Sequence, residues 1–275
     1  MRISLCNEVL AGMSLQAQCA LAAELGYDGL ELAPFTLADD PLALTAAERR
    51  AVRRAVEQTG LAVTGLHWLL VAPKGLSITD PDADIRRRTI NVMAALCDLC
   101  ADLGGRYLVH GSPAQRRLPG HDPLPAKGWA LEAFAAAARA AEQAGVHYCL
   151  EPLSRHETNF INTVAEAIGV VEAIGNSAFR TMIDCSAAGL TEADPVPVLL
   201  DRWLPSGLIA HVQVNDPNRK GPGQGEMDFA PVIAALQRHG YVGDLGVEPF
   251  VYDPDGPGAA AFAIRYLRDL LEAPR

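Results

Sequence analysis

The chain has no long apolar run, few aromatic residues and no surplus of positive charge. A membrane-spanning helix needs about 20 mostly apolar residues in a row, and no such run occurs in these 275 residues. Lys and Arg number 23 against 33 Asp and Glu, a net charge of −10. A broad nucleic-acid footprint needs a basic face, so no nucleic-acid partner and no membrane partner is expected. Cysteine is sparse. Six cysteines, at 6, 19, 97, 100, 149 and 185, are scattered along a chain too long to need staples. Reduced thiols in a cytoplasmic setting are the natural expectation. Cys97 and Cys100 form a C-x-x-C, but it lies inside a helical pattern without a second pair, which reads as two helix-face residues rather than a metal or redox site. The opening "MRISLCNEVLAG" enters a strand at once and carries no secretory pattern.

What is present is apolar bulk and rhythm. Hydrophobic residues make up 49% of the chain, enough for a sizeable core. Strand and helix patterns alternate from end to end. "RISLC", "YDGLELA", "LAVTGLHWLL", "RYLVHG", "VHYCLEPL", "FRTMIDCS", "GLIAHVQVND" and "DLGVEPF" read as strands. Helical segments follow each, among them 45–59, "PDADIRRRTINVMAALCDLCADLG" and "GWALEAFAAAARAAEQAG". Asn162 and Asp228 are candidate helix caps. Eight strand–helix pairs in about 250 residues fit an α/β fold of the (β/α)8 TIM-barrel type, here as one domain over 1–275. A doubly wound sheet would show a G-x-G-x-x-G after a strand, and "GPGQG" at 221–225 lacks that spacing.

A TIM barrel carries its chemistry at the C-terminal ends of its strands. Strands five to eight place Glu151, Asp184, Gln213 and Glu248 there, each after an apolar run. Carboxylates converging at one mouth repel unless a cation sits between them. Oxygen-rich ligation suits one divalent ion, Mn²⁺ first, with Mg²⁺, Co²⁺ and Zn²⁺ also open. Gln213 then supplies a neutral oxygen. His211 shares its face of the strand two residues deeper, about 6.6 Å away, so it would act behind the ligands or face the substrate. His67 after strand three and His110 after strand four are candidates to line the same mouth, with Glu31 and Glu8 weaker ones.

"CLEPL", "MIDCS", "HVQVNDPNR…PGQGEMDF" and "GYVGDLGVEPF" resemble the sugar phosphate isomerase/epimerase family with xylose isomerase-like barrels. The similarity spans essentially the whole chain. It implies one divalent metal held by Glu151, Asp184, Gln213 and Glu248, with Gln213 fixed by its spacing to Arg219. It further implies Glu151 and Glu248 as catalytic acid and base on opposite sides of the substrate carbon. Glu157 would bond substrate and Glu151, and Arg219 would hold a substrate hydroxyl. One departure stands out: the ketose epimerases of the family carry a histidine where this chain has Ala187.

The resemblance thus points to a ketose epimerase or aldose–ketose isomerase working through a cis-enediolate. A lyase or decarboxylase of a keto-sugar acid uses the same start. Endonuclease IV-like phosphodiesterases share the barrel but need a histidine-rich trinuclear site. A metal-binding barrel without catalysis is the remaining alternative. The expected partner is a small sugar or keto acid, more readily unphosphorylated because Arg219 and Lys220 form the only adjacent basic pair near the mouth. The oligomeric state stays open, a homo-oligomer included.

Overall fold

A computed structural model describes residues 1–272. Eight parallel strands close into a barrel in chain order. They are β1 Arg2–Cys6, β2 Gly29–Leu32, β3 Ala62–Leu66, β4 Tyr107–His110, β5 His147–Leu150, β6 Phe179–Asp184, β7 Ile209–Gln213 and β8 Asp244–Val247. The helices are α1 Leu15–Leu25, α2 Ala46–Glu57, α3 Ala83–Leu103, α4 Leu124–Ala144, α5 Val164–Ile174, α6 Cys185–Thr191, α7 Val196–Trp203, α8 Ala230–Arg238 and α9 Gly256–Glu272. The α/β barrel read from the sequence is therefore the observed fold.

Local chemistry sets the helix starts. Thr45 and Glu48 form a reciprocal capping box at α2, and Thr163 and Glu166 repeat it at α5. Asn162 is one residue too early to cap α5. Its amide instead donates to the Leu153 and Thr158 carbonyls, tying down the loop after β5. Asp228 accepts the Ala230 N–H at the start of α8. Two boundaries differ from the sequence reading. β3 stops at Leu66, because the chain turns away at Trp68, which adopts φ +53°. The helix near 195–203 is preceded by α6, a short helix that starts directly from the end of β6. Cys97 and Cys100 lie on α3, buried and unpaired.

Strand alternation sorts side chains between two cores. Leu108, Tyr148, Leu150 and Ile183 join the main core between barrel and helices. Tyr107, Val109, Cys149 and Met182 form a second cluster inside the barrel. At the N-terminal end of the barrel, Arg2 Nε lies 2.9 Å from Asp244 Oδ1, and Arg106 pairs with the same carboxylate. These ion pairs sit at the end of the barrel opposite the C-terminal strand ends. Among the described residues, no helix is long and apolar enough to cross a membrane.

Candidate functional site

The period of two that puts Cys149 and Met182 inside the barrel carries Glu151 and Asp184 to its mouth. Gln213 is paired in register with Asp184 across β6 and β7, and with Gly246 across β7 and β8. Glu248 follows β8 directly. Oxygens of Glu151, Asp184 and Glu248 all come within 4.8 Å of one another. All three side chains are buried. Gly111 allows this: a Cβ on it would overlap the Glu151 carboxylate.

These carboxylates are held by few donors. Asp184 Oδ1 accepts the Ala187 N–H at 2.5 Å, whereas Oδ2 is buried without a partner. Glu248 Oε1 accepts the Trp68 indole N–H at 2.9 Å. Gln213 donates through Nε2 to Glu31 Oε1 at 3.1 Å, and its Oε1 has no partner. Burial, then the charges of neighbouring carboxylates, push Glu151 and Glu248 well above the usual carboxylate range. Burial pushes Asp184 up to about 7. Three crowded buried carboxylates and two unsatisfied oxygen acceptors, Asp184 Oδ2 and Gln213 Oε1, fit a hard divalent cation. Such an ion would supply the missing positive charge and restore the ionised forms.

Beneath the mouth lies a buried polar layer. Glu31 takes the Tyr107 hydroxyl on Oε2 at 2.7 Å, with His211 Nε2 3.0 Å from the same oxygen. Burial works against its charge, but His211, His67 and Tyr107 outweigh it and hold Glu31 at about 2. A Cβ on Gly246 would come within 2.8 Å of Glu31 Oε2 and 3.0 Å of both Gln213 Cγ and His211 Nε2. Only a glycine leaves room for this layer.

The site opens into a cavity of about 410 Å³, lined by His67, Glu151, Glu157, Asp184, Arg219 and Glu248 together with Trp68 and Phe250. That volume falls in the range of small-ligand sites. His67 Nε2 lies 2.6 Å from Glu8 Oε2 and 4.0 Å from Glu248 Oε1. Burial opposes its charge, but Glu8 and Glu31 overcome that and raise its pKa. Cys6, Glu8, His67 and Glu248 are also mutually close, and within that group His67 and Glu8 share a hydrogen bond. Glu157 accepts the Ser154 N–H and hydroxyl, which aims it into the cavity. Arg219 adopts φ +70° and lays its guanidinium over the Phe250 ring, 4.7 Å from the centroid.

Two of the candidate histidines do not line the cavity. His110 lies outside the cavity, because its neighbours Val109 and Gly111 are the inward positions of that strand end. Its ring faces the helices, with Nδ1 2.8 Å from the Tyr148 hydroxyl and its edge on Phe134. Burial, with Arg116 nearby, lowers it to about 3. His211 is fully buried and stacked on Tyr107, with centroids 4.1 Å apart. Neither it nor Gln213 lines the cavity, and it stands two residues deeper than Gln213 along β7.

Sequence reasoning missed three contributors. Phe250 sits two residues after Glu248, so the strand period could have placed it on the same side. Trp68 depends on an irregular turn that no pattern announces. Arg116 lies in a Pro- and Gly-rich loop yet is fully buried, donating to the His110 and Glu151 carbonyls at 3.2 and 2.7 Å.

Residues 19–270 match the family model described as xylose isomerase-like TIM barrel. L-Ribulose 3-epimerase of Mesorhizobium japonicum is 28% identical over 87% of this chain and 77% of its own. A Streptomyces coelicolor protein provisionally named a hydroxypyruvate isomerase is 30% identical over 89% of this chain and 88% of its own. Among solved structures, D-psicose 3-epimerase with D-tagatose from Clostridium cellulolyticum H10 superposes with a TM-score of 0.85 at 21% identity, covering 99% and 100% of the two chains. The Escherichia coli 3-keto-D-glucoside 4-epimerase gives 0.83 at 22%, covering 98% and 99%. On the match over residues 19–270, the chain belongs to the xylose isomerase-like TIM-barrel family.

Proposed function

We propose that the protein is a divalent-metal-dependent ketose epimerase that inverts a carbon next to the substrate carbonyl. The observation that carries this reading is the meeting of Glu151, Asp184 and Glu248 in one cavity, with Asp184 Oδ2 and Gln213 Oε1 unpartnered. Relatives named as L-ribulose and D-psicose 3-epimerases support the substrate class.

Glu151, Asp184, Gln213 and Glu248 would hold the ion. When bound, it supplies Lewis-acid polarisation of the ketose carbonyl and acidifies the neighbouring C–H. Glu151 and Glu248 are the two groups that move protons. One, ionised, takes the proton from the carbon beside the carbonyl, and an enediolate results. The other, protonated, returns a proton to that carbon from the opposite face, and the configuration inverts. His67 and Glu157 line the cavity where sugar hydroxyls would sit, and Arg219 braced on Phe250 offers a fixed donor. Burial of the floor keeps water from the proton transfers.

A second reading is aldose–ketose isomerisation, in which the proton returns to the adjacent carbon. Ala187 in place of the epimerase histidine and the Gln213 spacing favour keeping it in view, as does the hydroxypyruvate isomerase-like relative. The test is a panel of ketoses and short keto acids incubated with Mn²⁺-loaded protein, with and without chelator. Epimeric ketoses formed only with metal would support the proposal. Turnover of keto acids alone would replace it with the second reading.

A further inference from the structure

Glu31, on β2, lies at the centre of the buried layer under the mouth, with no solvent exposure. Its carboxylate can only accept hydrogen bonds. Tyr107 donates to Oε2 and Gln213 Nε2 donates to Oε1. His211 Nε2 stands 3.0 Å from Oε2, and His67 Nδ1 3.7 Å from Oε1. Of these four partners, Gln213 alone carries an amide, and an amide has two unlike ends. An acceptor-only neighbour admits only the NH₂ end. The carbonyl end must then face elsewhere, and Gln213 Oε1 is indeed buried with no hydrogen-bond partner. Without Glu31, rotation by half a turn about the last side-chain bond would present NH₂ where the oxygen now is, and nitrogen bearing two protons cannot ligate a cation.

We propose that Glu31 is a positioning residue that selects the amide rotamer of Gln213 and so presents its carbonyl oxygen as a metal ligand. This rests on the reading of Gln213 as a ligand. The surrounding residues serve the same arrangement. Tyr107 and His211 occupy the other oxygen, so Oε1 is left for the amide. Gly246, paired with Gln213 in register, leaves the space in which the amide and the carboxylate meet. Glu31 touches neither substrate nor ion; it acts through Gln213.

The test is Mn²⁺ affinity, measured by calorimetry or by electron paramagnetic resonance of free Mn²⁺, on the whole protein. Four forms are compared: unaltered, Glu31→Gln, Gln213→Ala, and both changes together. Loss of a residue that orients a ligand weakens metal affinity by about 10–100-fold, and Glu31→Gln should do so. The double variant should bind no more weakly than Gln213→Ala alone, since Glu31 has nothing left to orient. In a Gln213→Glu background the side chain presents an oxygen whichever way it turns, so adding Glu31→Gln there should not weaken Mn²⁺ binding further. Unchanged binding in Glu31→Gln, or losses that add in full, would overturn the positioning role while leaving Gln213 a ligand. Unchanged binding in Gln213→Ala would overturn the ligand reading itself, and this proposal with it. If Glu31→Gln alone does not fold, Glu31→Asp decides, since its carboxylate is drawn back from the amide: a folded Glu31→Asp that binds Mn²⁺ more weakly supports the proposal, and one that binds it as well as the unaltered protein refutes it.

Discussion

The Trp68 indole N–H donates to Glu248 Oε1 at 2.9 Å, from a residue held at φ +53° just past the end of β3. A donor on a carboxylate favours its ionised form. Replacing Trp68 by Phe keeps the ring but removes the donor. A hydrogen bond to a charged group contributes about 1.5–3 kcal/mol, so kcat/KM should fall roughly 10–100-fold. The limb of the pH–rate profile that reports this carboxylate should move to higher pH. A steady-state profile of Trp68→Phe with an unmoved limb would show that the indole does not tune Glu248.

Glu151→Gln and Glu248→Gln should each keep the fold and lower turnover by about 10²–10⁴-fold, the usual contribution of a general acid or base. Circular dichroism and Mn²⁺ titration would verify that the site is still assembled. Near-normal rates in both variants would remove these residues from the proton-transfer role.

Gly111 and Gly246 should separate activity from stability. A Cβ at 111 meets the mobile end of the Glu151 side chain, which can swing aside. Gly111→Ala should therefore lose most activity with little change in Tm. At 246 the Cβ meets the packed Glu31, Gln213 and His211 layer. Gly246→Ala should cost about 1–3 kcal/mol, as overpacked interiors do. Equal thermal stability for both variants would contradict this placement.

The stabilisation conferred by Mn²⁺ should grow as pH rises from 5 to 8. Asp184 has a folded pKa near 7 against an ordinary value of 3.8, because of burial. A carboxyl with a raised folded pKa favours the folded state below its unfolded value, and that contribution is lost as pH rises through about 7. The cation favours the ionised form, so binding must displace protons below that pH and costs nothing above it. His110, lowered by burial and with its ring turned toward the helices, runs in the opposite sense below its usual value. It affects metal-free and loaded protein alike and cancels in the difference. The check is the Tm difference between Mn²⁺ and chelator across that range; a flat difference would argue against carboxylate ligands.

The barrel was legible because each strand and helix repeats a strong local pattern, and the period of two carried Glu151, Asp184, Gln213 and Glu248 to strand ends. His110 was misassigned because β4 ends in mid-alternation: one residue of phase decides whether a side chain faces the mouth or the helices. His211 was placed in the correct column and at the correct depth by the strand period, whereas its stack on Tyr107 joins two strands that are far apart in sequence. Glu31 drew little notice because a lone carboxylate in an apolar strand gains meaning only from neighbours on β4 and β7 and just after β3. Trp68 and Arg116 lie on loops whose paths are set by tertiary packing, which no local periodicity encodes.

The most direct test of the account is proton NMR of the Mn²⁺-loaded protein acting on a ketose in D₂O. Epimerisation by Glu151 and Glu248 requires removal of one C–H beside the carbonyl and delivery of a solvent-equilibrated proton to the same carbon. The expected result is an epimeric ketose carrying deuterium at the inverted carbon, and none formed after chelation. Epimer formed without deuterium, deuterium at the neighbouring carbon in an aldose product, or full turnover by protein shown metal-free by elemental analysis would contradict it.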